Sequence, residues 1–234
     1  MKNNNQIINF YETKEVKKLN KKYYNPSFEQ CQIKHPAMIL VVGATGSGKT
    51  QFLCNLIYQM SDTFTKIIVV HKVSEPLYEY LGKQLKDDIV FYKKLSELPS
   101  PDDLVKEDPL GQYLLVFDDQ ITAKDMTAIA EYYVRGRKSG GGITSVFLSQ
   151  SYYGVPKLIR LQLHYLILLK IGNQRDLSMI LSDNNIGVDK TSLLKLYNDA
   201  TREKFNFLKI DLATSDENKK FSHNFTEFYN IKND

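Results

Sequence analysis

Short runs of near-continuous apolar residues alternate along this chain with longer segments whose apolar positions recur every three or four residues. The runs at 37–42, 66–71, 88–92, 113–118, 143–149 and 164–170 predict strands, and their lack of polar alternation predicts that both faces are covered. Between and after them, 49–60, 75–85, 123–137, 174–182 and 190–200 predict helices. Within 123–137 the residues Met126, Ile129, Ala130, Tyr133 and Val134 form the expected inner face. Strands alternating with helices predict an α/β fold, with a mainly parallel central sheet and helices on both faces. The segment 93–111, carrying Pro99, Pro101 and Pro109, reads as an irregular connection. Residues 205–212 predict a further strand, and the polar stretch 214–220 separates it from Phe221, Phe225, Phe228 and Tyr229, which form either a closing hairpin or a docking peptide. The expected organisation is therefore an arm over 1–35, one α/β domain over 36–212, and a tail or closing strand over 213–234.

Composition adds bounds rather than chemistry. A chain of 234 residues holds one such domain with a sizeable core, and its 42% hydrophobic and 25% charged residues are ordinary for a soluble globular protein. The net charge of +4 permits an anionic partner without requiring one. Cys31 and Cys54 lack metal-ligand spacing and suggest no disulfide framework, which fits a reducing compartment. Met1 to Gln6 has no apolar signal core, and the apolar runs are far shorter than a membrane span, so the expectation is an intracellular protein with no membrane insertion. In the arm, Lys14, Lys17, Lys18, Lys21 and Lys22 stand among Phe10, Tyr11, Tyr23 and Tyr24. These form either a basic contact to DNA or a neighbouring subunit, or a solvated lead-in helix.

The sharpest chemical signal lies at 43–50, where Gly43, Ala44, Thr45, Gly46, Ser47, Gly48, Lys49 and Thr50 match G-x-x-x-x-G-K-[ST], with Gln51 next. Such a match arises by accident on the order of once in a hundred chains of this length. Here it also follows a predicted strand and opens a predicted helix, as a phosphate loop must. Glycines let the backbone bend so that several N–H groups face one phosphate chain, and the helix start adds positive potential. Lys49 is the charge expected to reach the β- and γ-phosphates of ATP, and Thr50 the hydroxyl expected on Mg²⁺.

The run at 113–118 ends in Asp118 and Asp119. An acid at such a strand end holds Mg²⁺, here Asp118, and a second acid beside it can orient and deprotonate the attacking water, here Asp119. The alternative for Asp119 is a cap on the helix expected near Thr122. The next run ends in Gln150, which would stand beside the γ-phosphate if its strand lies between the two nucleotide-motif strands. Arg135 and Arg137, in Arg-Gly-Arg-Lys at the end of the 123–137 helix, are either arginine fingers for a neighbour's nucleotide or cations on their own helix end. Arg160, after the Gln150 loop, is a second finger candidate. Taken alone, these residues argue for a Mg²⁺-ATPase with a sensor.

The order of these motifs, with the stretch from Gly136 to Gln150 and then Val155-Pro-Lys-Leu-Ile-Arg160, resembles the FtsK/HerA superfamily of DNA-pumping ATPases. Within it, the chain is similar to the genome-packaging ATPases of poxviruses, giant viruses, virophages and their transposon relatives. The resemblance covers roughly 36–183. Cellular relatives tend to carry Glu in place of Asp119 and Arg-Pro in place of Ser151-Tyr152, which favours the viral branch. It implies a P-loop NTPase of the ASCE (RecA/FtsK-like) type, forming a pentameric or hexameric ring that hydrolyses ATP between identical subunits. Such a ring drives double-stranded DNA into a viral capsid at its vertex, in the virus factory of the host cytoplasm and in the virion. Two other readings of the same loop are a nucleotide-dependent capsid assembly switch and a small-molecule kinase.

Overall fold

The computed structural model describes residues 7–19, 21–120 and 126–230. Two short helices, α1 (Lys14–Leu19) and α2 (Phe28–Cys31), precede the sheet. Then follow β1 (Met38–Val42), α3 (Lys49–Gln59), β2 (Lys66–Val70), α4 (Pro76–Leu85), β3 (Ile89–Tyr92), α5 (Pro101–Glu107), β4 (Tyr113–Asp118), α6 (Thr127–Arg135) and β5 (Ile143–Ser149). The chain continues through α7 (Lys157–Arg160), β6 (Tyr165–Leu168), α8 (Gln174–Asp183), α9 (Lys190–Ala200), β7 (Leu208–Asp211), β8 (Phe221–His223) and β9 (Glu227–Phe228). All these strands join one sheet in the order β3-β2-β4-β5-β1-β6-β7-β8-β9. Strands β1 to β6 pair in parallel, as crossover helices require, and β7, β8 and β9 extend the sheet antiparallel from β6. Strand β5 therefore lies between β1 and β4, which brings the ends of the three motif-bearing strands side by side.

Every side chain of β1 and β5 is buried, because successive residues point into opposite cores. On one side Leu40, Val42, Phe117 and Phe147 meet Ile129 and Tyr133 of α6. On the other, Ile39, Val41 and Val69 meet Phe52 and Leu56 of α3. The α3 core also reaches the carboxyl-terminal strands, since the rings of Phe52, Phe207 and Phe225 contact one another at 5.0–5.8 Å. Buried Lys209 of β7 donates to the carbonyls of Cys31 and Phe225, and burial pushes its pKa down to about 8.

Two local readings change, and the alternative left open at the carboxyl terminus resolves. The connection 93–111 contains α5, because Ser100 and Asp103 form a capping box and Pro101 sits at the helix start, where its missing N–H removes nothing. In α6 the buried residues are Ile129, Tyr132 and Tyr133, whereas Val134 is 51% exposed. Five residues beyond Ile129 is about 140° around a helix, so Val134 leaves the inner face. The carboxyl-terminal aromatics form a hairpin, β8–β9, on the sheet. The expected helix start at 123, Thr122 and Met1 to Gln6 lie outside the described residues.

The arm folds across the amino-terminal edge of the sheet: Lys21 Nζ donates to the carbonyls of Lys138 and Gly140, and Tyr23 Oη to that of Arg137. Cys31 and Ile33 are fully buried. Among the described residues no helix is long and apolar enough to cross a membrane.

Candidate active site

The cleft opens at the carboxyl ends of β1, β4 and β5. Gly43 N–H donates to the Ser149 carbonyl at 3.0 Å and Ala44 N–H to the Lys170 carbonyl at 2.8 Å, which ties the loop after β1 to both neighbouring strands. Gly46 (φ 75°) and Gly48 (φ 102°) take the left-handed conformation that side chains resist. A Cβ on Gly43 would fall 2.3 Å from Ser47 Oγ, so a side chain there would break the loop's closure. The buried Ser47 hydroxyl has no hydrogen-bond partner. Lys49 opens α3 and folds its ammonium back over the loop, donating to Gly43 O at 2.9 Å and Ala44 O at 3.3 Å. Burial pushes the Lys49 pKa down, while Asp118, Asp119 and Glu75 pull it up.

A cavity of about 480 Å³ brings Thr45, Lys49, Thr50, Asp118, Asp119 and Gln150 together. Asp118 accepts from Tyr78 Oη at 2.7 Å, and burial raises its pKa against that hydrogen bond. Asp119 is exposed, with φ 49°, a conformation Asp tolerates better than most residues, and its N–H is held by the Leu148 carbonyl at 3.2 Å. Gln150 bridges the two halves: its amide oxygen accepts from Thr45 Oγ1 at 3.3 Å and its NH₂ donates to Asp119 at 3.5 Å. A γ-phosphate entering between Thr45 and Asp119 would compete for both bonds, so this amide can register its presence.

Sequence reasoning did not single out Glu75, Tyr78 or Phe205, all of which reach the site. Glu75 accepts a hydrogen bond from the Thr50 hydroxyl and occupies the position before α4, whose first turn carries Tyr78 to Asp118. The available signal was an acid shortly after the second strand, just before Pro76 at a helix start. Phe205 lines the same cavity from the loop before β7.

The arginines separate from this cluster. Arg135 is exposed and paired with Glu131 at 2.5 Å and Asp102 at 2.6 Å. Arg137 is exposed beneath β1, with Nη1 3.4 Å from Nε2 of His164, whose Nδ1 accepts from Met38 N–H; both arginines thus lie at the sheet edge opposite the loop. Arg160 is buried, ion-paired with Asp183 and stacked over the Tyr152 ring at 4.9 Å. A guanidinium so enclosed does not suit a role that requires crossing to a neighbouring subunit.

Thr50, Glu75 and Asp118 offer only oxygen donors, which fits a hard cation such as Mg²⁺, commonly held by one or two carboxylates together with substrate phosphates. Among the described residues no cluster of three or more His, Cys, Asp or Glu forms a metal site by itself.

The poxvirus A32 protein family matches residues 27–212 of the chain. Among solved structures, B204, the DNA-packaging ATPase from Sulfolobus Turreted Icosahedral Virus, aligns with a TM-score of 0.54 at 15% identity over 82% of this chain and 98% of its own. The genome packaging NTPase B204 from Sulfolobus turreted icosahedral virus 2, in complex with AMPPCP, gives 0.56 at 15% identity, covering 82% and 98%. ATPases 2 and 3 of EssC from Geobacillus thermodenitrificans give 0.51 at 11% identity, covering 82% and 39%. At these identities the likeness to solved structures speaks to the fold alone, an α/β arrangement around a mostly parallel sheet. No match to a curated protein was found.

Proposed function

The chain belongs to the poxvirus A32 protein family, and on that footing we propose that it is an ATP-hydrolysing motor that translocates double-stranded DNA into a viral capsid. The observation that carries this reading is the convergence in one cleft of the phosphate loop, the Asp118–Asp119 pair and Gln150 from three adjacent strands. Solved structures of similar fold are described as packaging NTPases and were obtained with ATP analogues, which supports nucleotide binding here.

The geometry supports the following roles. Backbone N–H groups of residues 43–50 and the start of α3 face the phosphates, and Lys49 exchanges its two loop carbonyls for phosphate oxygens. Thr50 and Asp118 are the residues that would hold Mg²⁺, which would supply charge neutralisation for phosphoryl transfer. Asp119 orients the attacking water and takes its proton, and Glu75, hydrogen-bonded to the Thr50 hydroxyl, lines the same cavity. Gln150 senses hydrolysis through its bonds to Thr45 and Asp119.

Identical subunits assemble into a pentameric or hexameric ring at the capsid vertex, and Arg137, exposed at the sheet edge opposite the loop, reaches the neighbour's nucleotide. The protein works in the virus factory of the host cytoplasm and enters the virion. The test is ATP turnover by purified protein with and without double-stranded DNA, alongside Lys49→Ala and Asp119→Asn. DNA-stimulated turnover that falls at least about 100-fold in both variants is expected. Turnover that ignores DNA, or survives both substitutions, would sink the motor; ATP-dependent oligomers with negligible hydrolysis would mark an assembly switch instead, and phosphate transfer to a nucleoside acceptor a kinase.

A further inference from the structure

We infer that the loop 201–206, with the ring of Phe205 as its platform, is the base subsite of the nucleotide, a flat aromatic pocket that takes the purine of ATP. The inference rests on the nucleotide reading of the phosphate loop and adds to it the part of the chain that recognises the base.

A second cavity, of about 360 Å³, lies against the phosphate loop and shares Thr45, Gly46 and Phe205 with the first. Phe205 is therefore the wall between the cleft that suits the phosphates and a space of a size to receive a heterocycle. Phe205 is 47% exposed, with φ 73°. An aromatic residue in the left-handed region is strained, and such strain persists only where the surroundings impose it. Those surroundings are visible. Gly48 leaves room for the ring: a Cβ there would lie 2.5 Å from Phe205 Cδ1, so the ring rests directly on the phosphate-loop backbone. The loop is anchored before the ring by Thr201, whose hydroxyl donates to the Tyr197 carbonyl at 2.7 Å, and after it by Phe207, whose carbonyl accepts from Asn224 N–H at 2.9 Å and whose N–H donates to Asn224 Oδ1 at 3.2 Å. Phe207 in turn packs edge-on against Phe52 of α3 at 5.0 Å. The antiparallel strands β7 to β9 thus hold one exposed aromatic face beside the phosphate loop.

Chemistry around the ring suits a nucleoside rather than a second phosphate group alone. Lys204 Nζ stands 4.8 Å from the ring centroid, polarising the stack, and Glu203 and Asn206 line the cavity with polar groups that can meet base edges or ribose hydroxyls. Stacking on such a ring is worth about 10-fold in affinity, whatever its exact partner.

The chain contains no tryptophan, so Phe205→Trp places a single indole at this position. Its fluorescence is expected to change on adding ATP with Mg²⁺ and to stay constant with inorganic tripolyphosphate, which shares the phosphates and lacks the base. In parallel, calorimetry of Phe205→Ala is expected to show ATP binding about 10-fold weaker and tripolyphosphate binding unchanged, with Phe205→Tyr restoring the ATP affinity. Equal loss for both ligands would overturn the subsite by making Phe205 a prop for the phosphate loop, and unchanged ATP affinity in Phe205→Ala would overturn it directly. A parent protein that binds neither ligand would overturn the nucleotide reading together with the subsite, whereas failure of the subsite alone leaves parent binding intact.

Discussion

Replacing Arg160 with Ala should destabilise the protein before it does anything else. The Arg160 and Asp183 side chains are 8% and 13% exposed and form an ion pair between α7 and the end of α8, with the guanidinium over Tyr152 at 4.9 Å. Removing one member of a buried pair leaves the other charge without compensation, a loss of about 3 kcal/mol at the lower end of the usual range because Asp183 keeps some contact with water. A chain of 234 residues has an unfolding entropy near 0.5 kcal/mol/K, so Tm should fall by about 6 °C. Asp183→Asn should do the same, and the double substitution of both positions by Leu should lose less than the sum of the single changes. Thermal melts read by circular dichroism give all the values. An Arg160→Ala protein that melts within about 1 °C of the parent yet loses DNA-stimulated hydrolysis would refute the reasoning and return Arg160 to the surface as a finger.

Glu75→Gln should lower single-turnover ATP hydrolysis by about 100-fold while equilibrium ATP binding stays within about threefold, and unchanged hydrolysis would remove Glu75 from the chemistry. Buried His35, hydrogen-bonded to Thr144 and Gly141 and flanked by Tyr23 and Phe64, has its pKa lowered by burial from 6.5 to about 4. Because the unfolded chain then binds a proton that the folded one refuses, stability should fall by up to about 3 kcal/mol as pH drops through that window. Denaturant midpoints across the window should show less loss in His35→Asn, and an identical slope would contradict the assignment. Phe207→Ala should cost about 3 kcal/mol in chemical denaturation, since its ring fills the contact between α3 and β7; a change below about 1 kcal/mol would mean that the strands β7 to β9 are not anchored through it.

Much of this arrangement was legible in the chain. Strands such as β1 and β5 carry apolar residues on both faces, a pattern that only a doubly covered sheet explains, and residues 43–50 need glycines where the backbone turns left-handed. What was not legible depends on long-range packing. Glu75 follows its strand by five residues, directly after Lys72-Val-Ser, and only the fold brings it to Thr50. Phe205 reads as the first residue of an apolar strand, yet β7 starts at Leu208 and leaves the ring in a loop beside Gly48. Arg160 is a related case: its burial could not be read from its position after the Gln150 loop, because the partner that encloses it, Asp183, is more than twenty residues further on. Pro99, Pro101 and Pro109 likewise masked α5, although Ser100 and Asp103 carried its capping signal.

The most direct test of the central claim is whether the protein moves along double-stranded DNA while hydrolysing ATP, read by displacement of a fluorescent triplex-forming strand from a linear duplex. Displacement with ATP and Mg²⁺, absent with a non-hydrolysable analogue and in Lys49→Ala, is the predicted result. Brisk DNA-stimulated hydrolysis with the third strand left in place would contradict it.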